Sequence, residues 1–400
     1  MALDAPALAR RPGVAKSFQG IPSNRAGGCG QRRSRHSQLA YCHGVLEMRV
    51  VVRTPNWLGD IVMALPVLRA LRVHFPEAVL AAAVPRPLAP VLSAVAEVDQ
   101  VVGLTRNRSG RRRLDAEIET LRSGAFDLAL LLPNSFGAAW VAQRAAIPER
   151  WGFASQWRRQ MLTRAVTLPR RRSPVLHQSA RYQELLRGLS IEPVAPEPRL
   201  EAPGRMIRLA QTLLDVAGCD QDRPIVGVAP GAAYGHAKRW PADRYARVTA
   251  RLCGEFGASV VLLGSSHDRD AGYTIESVLA ATCEAEIRRR VVNLIGRTDL
   301  SELIGLLACC RVLVSSDSGA MHLAAAVGVP VTAIFGPTDD RLTAPVGPHM
   351  VLTNPVWCRP CFFRDCPIDH RCMAKISEER VFQAVARQLV SSTEAQPSSN

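Results

Sequence analysis

Short β-branched runs alternate with helix-length amphipathic stretches along most of this chain. Residues 50–52 predict a buried strand, and Leu65, Leu68, Leu71 and Phe75 recur at helical spacing across 61–74. Further strands are predicted over 78–84, 98–104 and 127–132, with helices over 87–94, 115–122, 136–144 and 177–189. Pro193, Pro196, Pro198 and Pro203 then crowd a stretch without periodicity, which reads as an interdomain linker. The same grammar restarts beyond it. Strands are predicted over 225–229, 259–263, 291–294, 312–314 and 329–335, and helices over 206–217, 242–255, 301–307, 320–327 and 377–389. Such alternation predicts an α/β protein with two doubly wound parallel sheets, the first within 48–203 and the second within 204–390, followed by a polar tail over 391–400.

In open parallel sheets, ligands bind beyond the carboxyl ends of the strands, so the polar loops that follow these strands are the candidate site. After 312–314 come Ser315, Ser316, Asp317, Ser318 and Gly319, then a helix containing His322. A helix start there offers free N–H groups and partial positive charge to a phosphate. Asp317, Ser318 and His322 add side chains for sugar hydroxyls or phosphate oxygens. The alternative is that Ser316 or Asp317 only caps the helix and His322 is a packed histidine. After 225–229 comes a loop with Gly231, Ala232 and Lys238, where backbone N–H groups can approach an anion and Lys238 can neutralise one. Asp268, after 259–263, either accepts from a ribose or caps the next helix. In the first half, Gly59 and Asp60 stand at the junction after the first strand. Asp60 reads as a helix cap or as a carboxylate that takes a proton from a substrate hydroxyl. Three polar loops converging on one edge weigh more than any one of them.

A hydrophobic fraction of 47% over 400 residues supports cores for two or three domains. No apolar run approaches the roughly 18 residues of a membrane span. Arg10, Arg11 and Lys16 interrupt any signal-peptide core, and the expected compartment is reducing. Residues 1–47 lack periodicity and predict a disordered basic extension. Met48 directly precedes the first strand, so a chain starting there would lose no folded element. The formal charge is +15, and residues 1–47 hold seven Lys/Arg against two Asp/Glu, so most of the excess belongs to the body. It gathers in basic runs: Arg106, Arg108 and 111–113; Arg158, Arg159 and Arg164; and 170–172. This points to an anionic ligand, a membrane surface or nucleic acid. A nucleic-acid-binding scaffold would leave the polar loops unexplained, and the chain shows no nucleic-acid motif and little aromatic interleaving. Of eleven cysteines, Cys358, Cys361, Cys366 and Cys372 cluster as C-x2-C-x4-C-x5-C. That spacing could in principle ligate zinc or an iron–sulfur cluster, but it lacks the paired CxxC…CxxC pattern with a long intervening loop, so no metal is expected and the alternatives are reduced thiols in a compact loop or a disulfide.

Five segments, in order, resemble one family: TPNWLGDIVMALPVLRAL, PGAAYGHAKRWP, LLGSSHDRD, SSDSGAMHLAAAVGVPVTAIFGPTD and CRPCFFRDCPIDHRCM. Across 48–389 the chain resembles the bacterial lipopolysaccharide heptosyltransferases of glycosyltransferase family nine. The cysteine segment and the AKRWP loop look most like members that add the second core heptose. The resemblance implies a GT-B fold, two Rossmann-like domains facing across a cleft, the first receiving the acceptor and the second holding ADP-heptose. It implies inverting, metal-independent transfer of L-glycero-D-manno-heptose to the heptose of the lipopolysaccharide inner core. No cofactor and no nucleic acid are implied, and the expected place is cytoplasmic, in peripheral contact with the inner membrane. A family member with another acceptor or activated sugar is the alternative. By this resemblance Asp60 matches the catalytic base and Lys238 the lysine that neutralises the donor diphosphate. Gly231, Ala232, Asp268, Asp317, Ser318, Gly319 and His322 match donor-binding positions. Asn56 and Trp57, with Arg158 and Arg159 of the basic loops, are the acceptor-binding candidates.

Overall fold

The computed structural model describes residues 47–105, 110–167 and 176–394. The basic runs at 106–108 and 170–172 and nearly all of the expected extension, up to 46, lie outside the described residues. Six strands form the first sheet: β1 Arg49–Arg53, β2 Val79–Pro85, β3 Gln100–Leu104, β4 Leu128–Leu131, β5 Glu149–Phe153 and β6 Arg164–Val166. Six more form the second: β7 Ile225–Ala229, β8 Ser259–Leu262, β9 Val291–Asn293, β10 Val312–Ser316, β11 Val331–Phe335 and β12 His349–Thr353. The first runs β3-β2-β1-β4-β5-β6 and the second β9-β8-β7-β10-β11-β12, all parallel, so the two have one topology. Both are doubly wound, as the alternation predicted, and Rossmann-like, as the resemblance implied. Their central strands are continuous apolar runs because helices cover both faces. Strand order reverses between β1 and β4 and between β7 and β10, which opens a crevice at each place.

Several elements depart from expectation. The helix predicted over 61–74 is two, Leu58–Met63 and Leu65–His74, because Pro66 has no N–H to give the carbonyl four residues back. Asp60 therefore lies in the first turn of a helix, and its N-cap is Trp57. Strands β5, β6 and β12 carry Glu, Arg or His at their starts and are too short to show a period. The helix expected after Asp268 spans Arg269–Thr282, whereas the terminal helix continues to Glu394, into the expected polar tail.

The proline-rich stretch is strapped to the second half, since the Leu200 N–H donates to the Ala326 carbonyl at 2.8 Å. Nε2 of His177 also meets the Ala344 carbonyl at 2.9 Å. One apolar cluster runs from Val50 through Leu186 to Met321 and Phe335, so the halves share buried surface.

Candidate active site

A cavity of about 540 Å³ opens where the two carboxyl edges meet. The first half lines it with Trp57, Leu58, Gly59, Asp60 and Met63. The second contributes Gly231, Ala232, Tyr234 and Lys238 after β7, Ser265 and Asp268 after β8, Asp299 after β9, and Asp317, Ser318, Gly319 and His322 after β10. Two glycines let the walls approach. A Cβ on Gly59 would lie 2.6 Å from Cδ2 of His322, and one on Gly319 would lie 2.8 Å from Cβ of Leu58. The helices Leu58–Met63 and Gly319–Val327 thus pack directly against each other.

The charged centre is compact. Nζ of Lys238 lies 2.6 Å from Oδ2 of Asp317, which also accepts from the Thr338 hydroxyl at 2.6 Å. The Tyr234 ring holds the same ammonium 4.9 Å from its centroid. Asp60 feels both partners. Burial raises its pKa, Lys238 draws it back down, and Asp317 raises it again. A carboxyl held above its ordinary range is a better-matched proton acceptor near neutral pH. Tyr182, buried nearby on the helix Gln178–Gly188, has its phenol pushed up by burial and by the charge of Asp60.

His322 is buried, and burial pushes its pKa down to about 4, so the ring is neutral at physiological pH. It is a packed histidine at the cavity wall, and no cation for a phosphate. Ser318, neither Ser316 nor Asp317, is the N-cap of Gly319–Val327, and it makes no capping bond. Its hydroxyl meets that of Ser315 at 3.1 Å, which leaves the first-turn N–H groups free of a side-chain cap. Ser316 is instead buried against the Tyr245 hydroxyl at 3.0 Å.

Other expected contacts fall differently. Both oxygens of Asp268 are engaged: Oδ2 accepts from the backbone and hydroxyl of Ser265 at 3.0 and 2.7 Å, and Oδ1 pairs with Arg239 at 3.2 Å. A Cβ on Gly231 would meet that carboxyl at 2.2 Å. Asp268 therefore fixes the glycine loop and has little left for a ribose. Its neighbour Asp270 is exposed on the following helix. Arg158 is a correction, since it is 0% exposed and cannot meet an acceptor. Its guanidinium donates to the carbonyls of Phe153 and Pro133, and burial draws its pKa down to about 10, still cationic at neutral pH. Arg159 is exposed, and Trp57 is 52% exposed at the cavity mouth. Asn56 is half-buried, accepts from Arg53 at 3.1 Å, and does not line the cavity.

The cysteine segment is a brace. Cys358, Cys361, Cys366 and Cys372 are free thiols, and among the described residues no three His, Cys, Asp or Glu side chains gather as a metal site. The segment grips the glycine loop instead. The Tyr234 hydroxyl donates to the Phe362 carbonyl at 2.8 Å, the Ala237 N–H to the Arg364 carbonyl at 2.8 Å, and His370 meets the Ala237 carbonyl at 2.7 Å. Thr338, Tyr234 and Tyr182 escaped sequence reasoning. Thr338 and Tyr234 lie inside the quoted segments, whereas Tyr182 sits mid-helix with no local signal.

Comparison with known proteins places this geometry. Residues 115–371 match the model of glycosyltransferase family 9 (heptosyltransferase). The chain is 33% identical over 308 residues to lipopolysaccharide heptosyltransferase 2 of Salmonella typhimurium, covering 75% of this chain and 86% of that protein. It is 33% identical over 312 residues to the protein of that name from Escherichia coli, with the same coverage. The solved structure of E. coli ADP-heptose lps heptosyltransferase II superposes with a TM-score of 0.73 at 29% identity, covering 87% of this chain and all of that one. The two parallel sheets and the cavity between their carboxyl edges are thus a GT-B framework, and the chain is a glycosyltransferase that belongs to family 9, the heptosyltransferases.

Proposed function

We propose that this protein transfers L-glycero-D-manno-heptose from ADP-heptose to the heptose of the lipopolysaccharide inner core, with inversion and without a metal ion. The observation that carries the reading is one cavity that joins Asp60 of the first half to the Lys238–Asp317 pair of the second. The relatives named above, with their printed heptosyltransferase activity, support the choice of sugar. Asp60 removes the proton of an acceptor hydroxyl as its oxygen bonds the anomeric carbon, and the bond from that carbon to the diphosphate breaks. The departing ADP gains negative charge. Lys238 and the uncapped N–H groups at Gly319 stabilise it, the task a divalent ion would otherwise perform. Asp317 and Thr338 hold Lys238 in place. Peripheral contact at the cytoplasmic face of the inner membrane suits a glycolipid acceptor and the basic charge of +15. Among the described residues no helix is long and apolar enough to cross a membrane.

The test is transfer from ADP-heptose to core acceptors carrying no heptose or one heptose, with and without chelator, read by mass spectrometry and by anomeric configuration. The expected result is chelator-insensitive transfer to the mono-heptosylated acceptor. Transfer to the heptose-free acceptor alone would move the activity to another core position, and no transfer at all would overturn the reading.

A further inference from the structure

Gln156 and Trp157, just past the end of β5, hold φ angles of 49° and 62°. This is the left-handed region that residues with side chains avoid. The next residue locks them there. Arg158 is fully buried and ties the loop to the carbonyls of Phe153 and Pro133, while the Ser155 hydroxyl donates to the Asn134 carbonyl at 3.1 Å. The outcome for Trp157 is 96% exposure. A strained backbone, clamped by a buried cation, here displays a large aromatic side chain that packs into nothing. Strain held in this way accompanies binding sites.

The position narrows the role. β5 lies beside β4 and β4 beside β1 in a parallel sheet, so the loop of Trp157 stands on the edge that carries Asp60, about 10 Å along it. Phe136, 49% exposed, opens the helix after β4 between them, and exposed Arg159 follows Trp157. Asp60 meets the attacked hydroxyl of the acceptor. Further sugars of that acceptor must lie over the first half, because the second half supplies the donor loops.

We propose that Trp157 and Arg159 form a second acceptor subsite, in which the indole face stacks on a sugar ring remote from the attacked hydroxyl and the guanidinium pairs with an anionic group of the acceptor. This rests on the transferase reading above. The apolar C–H face of a pyranose suits an indole, and an exposed guanidinium suits phosphate or carboxylate.

The experiment compares wild type, Trp157→Ala, Trp157→Gly and Arg159→Gln on two acceptors, one acylated and one deacylated. Wild-type turnover tests the transferase reading separately. The subsite predicts a roughly three- to tenfold rise in acceptor KM for each variant on both acceptors, with the donor KM unchanged. Trp157→Gly also relieves the left-handed strain, so its melting temperature should hold or rise while acceptor affinity falls. An unchanged acceptor KM overturns the proposal. A defect confined to the acylated acceptor assigns Trp157 to a lipid surface and also overturns it.

Discussion

Gly59 leaves just the space that the His322 imidazole fills, since a methyl group there would sit 2.6 Å from Cδ2. The contact joins the residue before Asp60 to the helix that follows the polar loop at Asp317. It therefore sets the distance between the proposed base and the proposed diphosphate site. His322, neutral and buried, acts as a spacer, and its chemistry is that of a well-packed ring.

Replacing Gly59 by Ala should wedge this contact open. Overpacking of this kind costs about 1–3 kcal/mol, and displacing a reacting group by an ångström can cost roughly a hundredfold in rate. The expected outcome is a kcat lowered at least about tenfold. ADP affinity should change little, because the loops proposed to hold ADP belong to the second half. Steady-state kinetics beside calorimetric titration with ADP would separate the two, and an equal loss in both would remove the spacer role.

The pH profile should carry the signature of Asp60. Its folded pKa lies above the usual carboxylate value, so the carboxyl becomes protonated, and ceases to accept a proton, at a higher pH than an exposed Asp would. The acid limb of kcat/KM, which reports the free enzyme, should therefore lie above that range. Lys238 lowers this pKa and Asp317 raises it. Lys238→Met should move the acid limb upward, and Asp317→Asn should move it downward, each on top of a loss in rate. Asp60→Asn should abolish transfer and leave the melting temperature unchanged or higher, since it removes a charge whose burial is unfavourable. A limb that stays fixed in both Lys238→Met and Asp317→Asn, or turnover retained in Asp60→Asn, would take Asp60 out of the proton-transfer step.

The alternation of apolar runs made both sheets legible, and quoted loops placed Asp60, Lys238 and Asp317 in advance. What stayed hidden depended on contacts far apart in sequence. Nothing local distinguishes Arg158, a buried staple, from exposed Arg159 beside it, because the difference lies in the carbonyls of Phe153 and Pro133. Asp268 was open between a ribose contact and a cap; it stands at the N-cap of Arg269–Thr282, and its pairing with Arg239, from another loop, had no local signal. The cysteine spacing left thiols, a disulfide and a metal open, and gave no sign that backbone and side-chain groups of that segment grip the loop that carries Lys238. Strands β5 and β6 were lost to their charged residues and short length.

The brace can be loosened by one atom. Tyr234→Phe deletes the hydroxyl that donates to Phe362 but keeps the ring over Lys238. A hydrogen bond of this sort contributes about 1 kcal/mol, less where it is exposed, so the donor KM should rise about threefold with the acceptor KM unchanged. Tyr234→Ala also removes the cation–π contact and should cost more. Equal donor KM values for wild type and both variants would mean that the loop needs no brace from this side.

Arg158 separates a structural cation from a ligand contact. Its guanidinium is fully buried and satisfies the carbonyl of Pro133 in the loop after β4 and that of Phe153 at the end of β5. Arg158→Ala would leave those carbonyls without a donor, at a cost of about 1–3 kcal/mol for each buried group left unsatisfied. Lysine cannot reproduce the planar fork, so Arg158→Lys should recover only part of the stability. Both variants should melt lower than wild type, and neither loss should depend strongly on salt, because the group is shielded from solvent. A direct acceptor contact at Arg158 would behave in the opposite way. The melting temperature would hold, acceptor KM would rise, and the defect would track ionic strength. Thermal melting at two salt concentrations, beside acceptor titration, decides between the two, and Arg159→Gln serves as the exposed control.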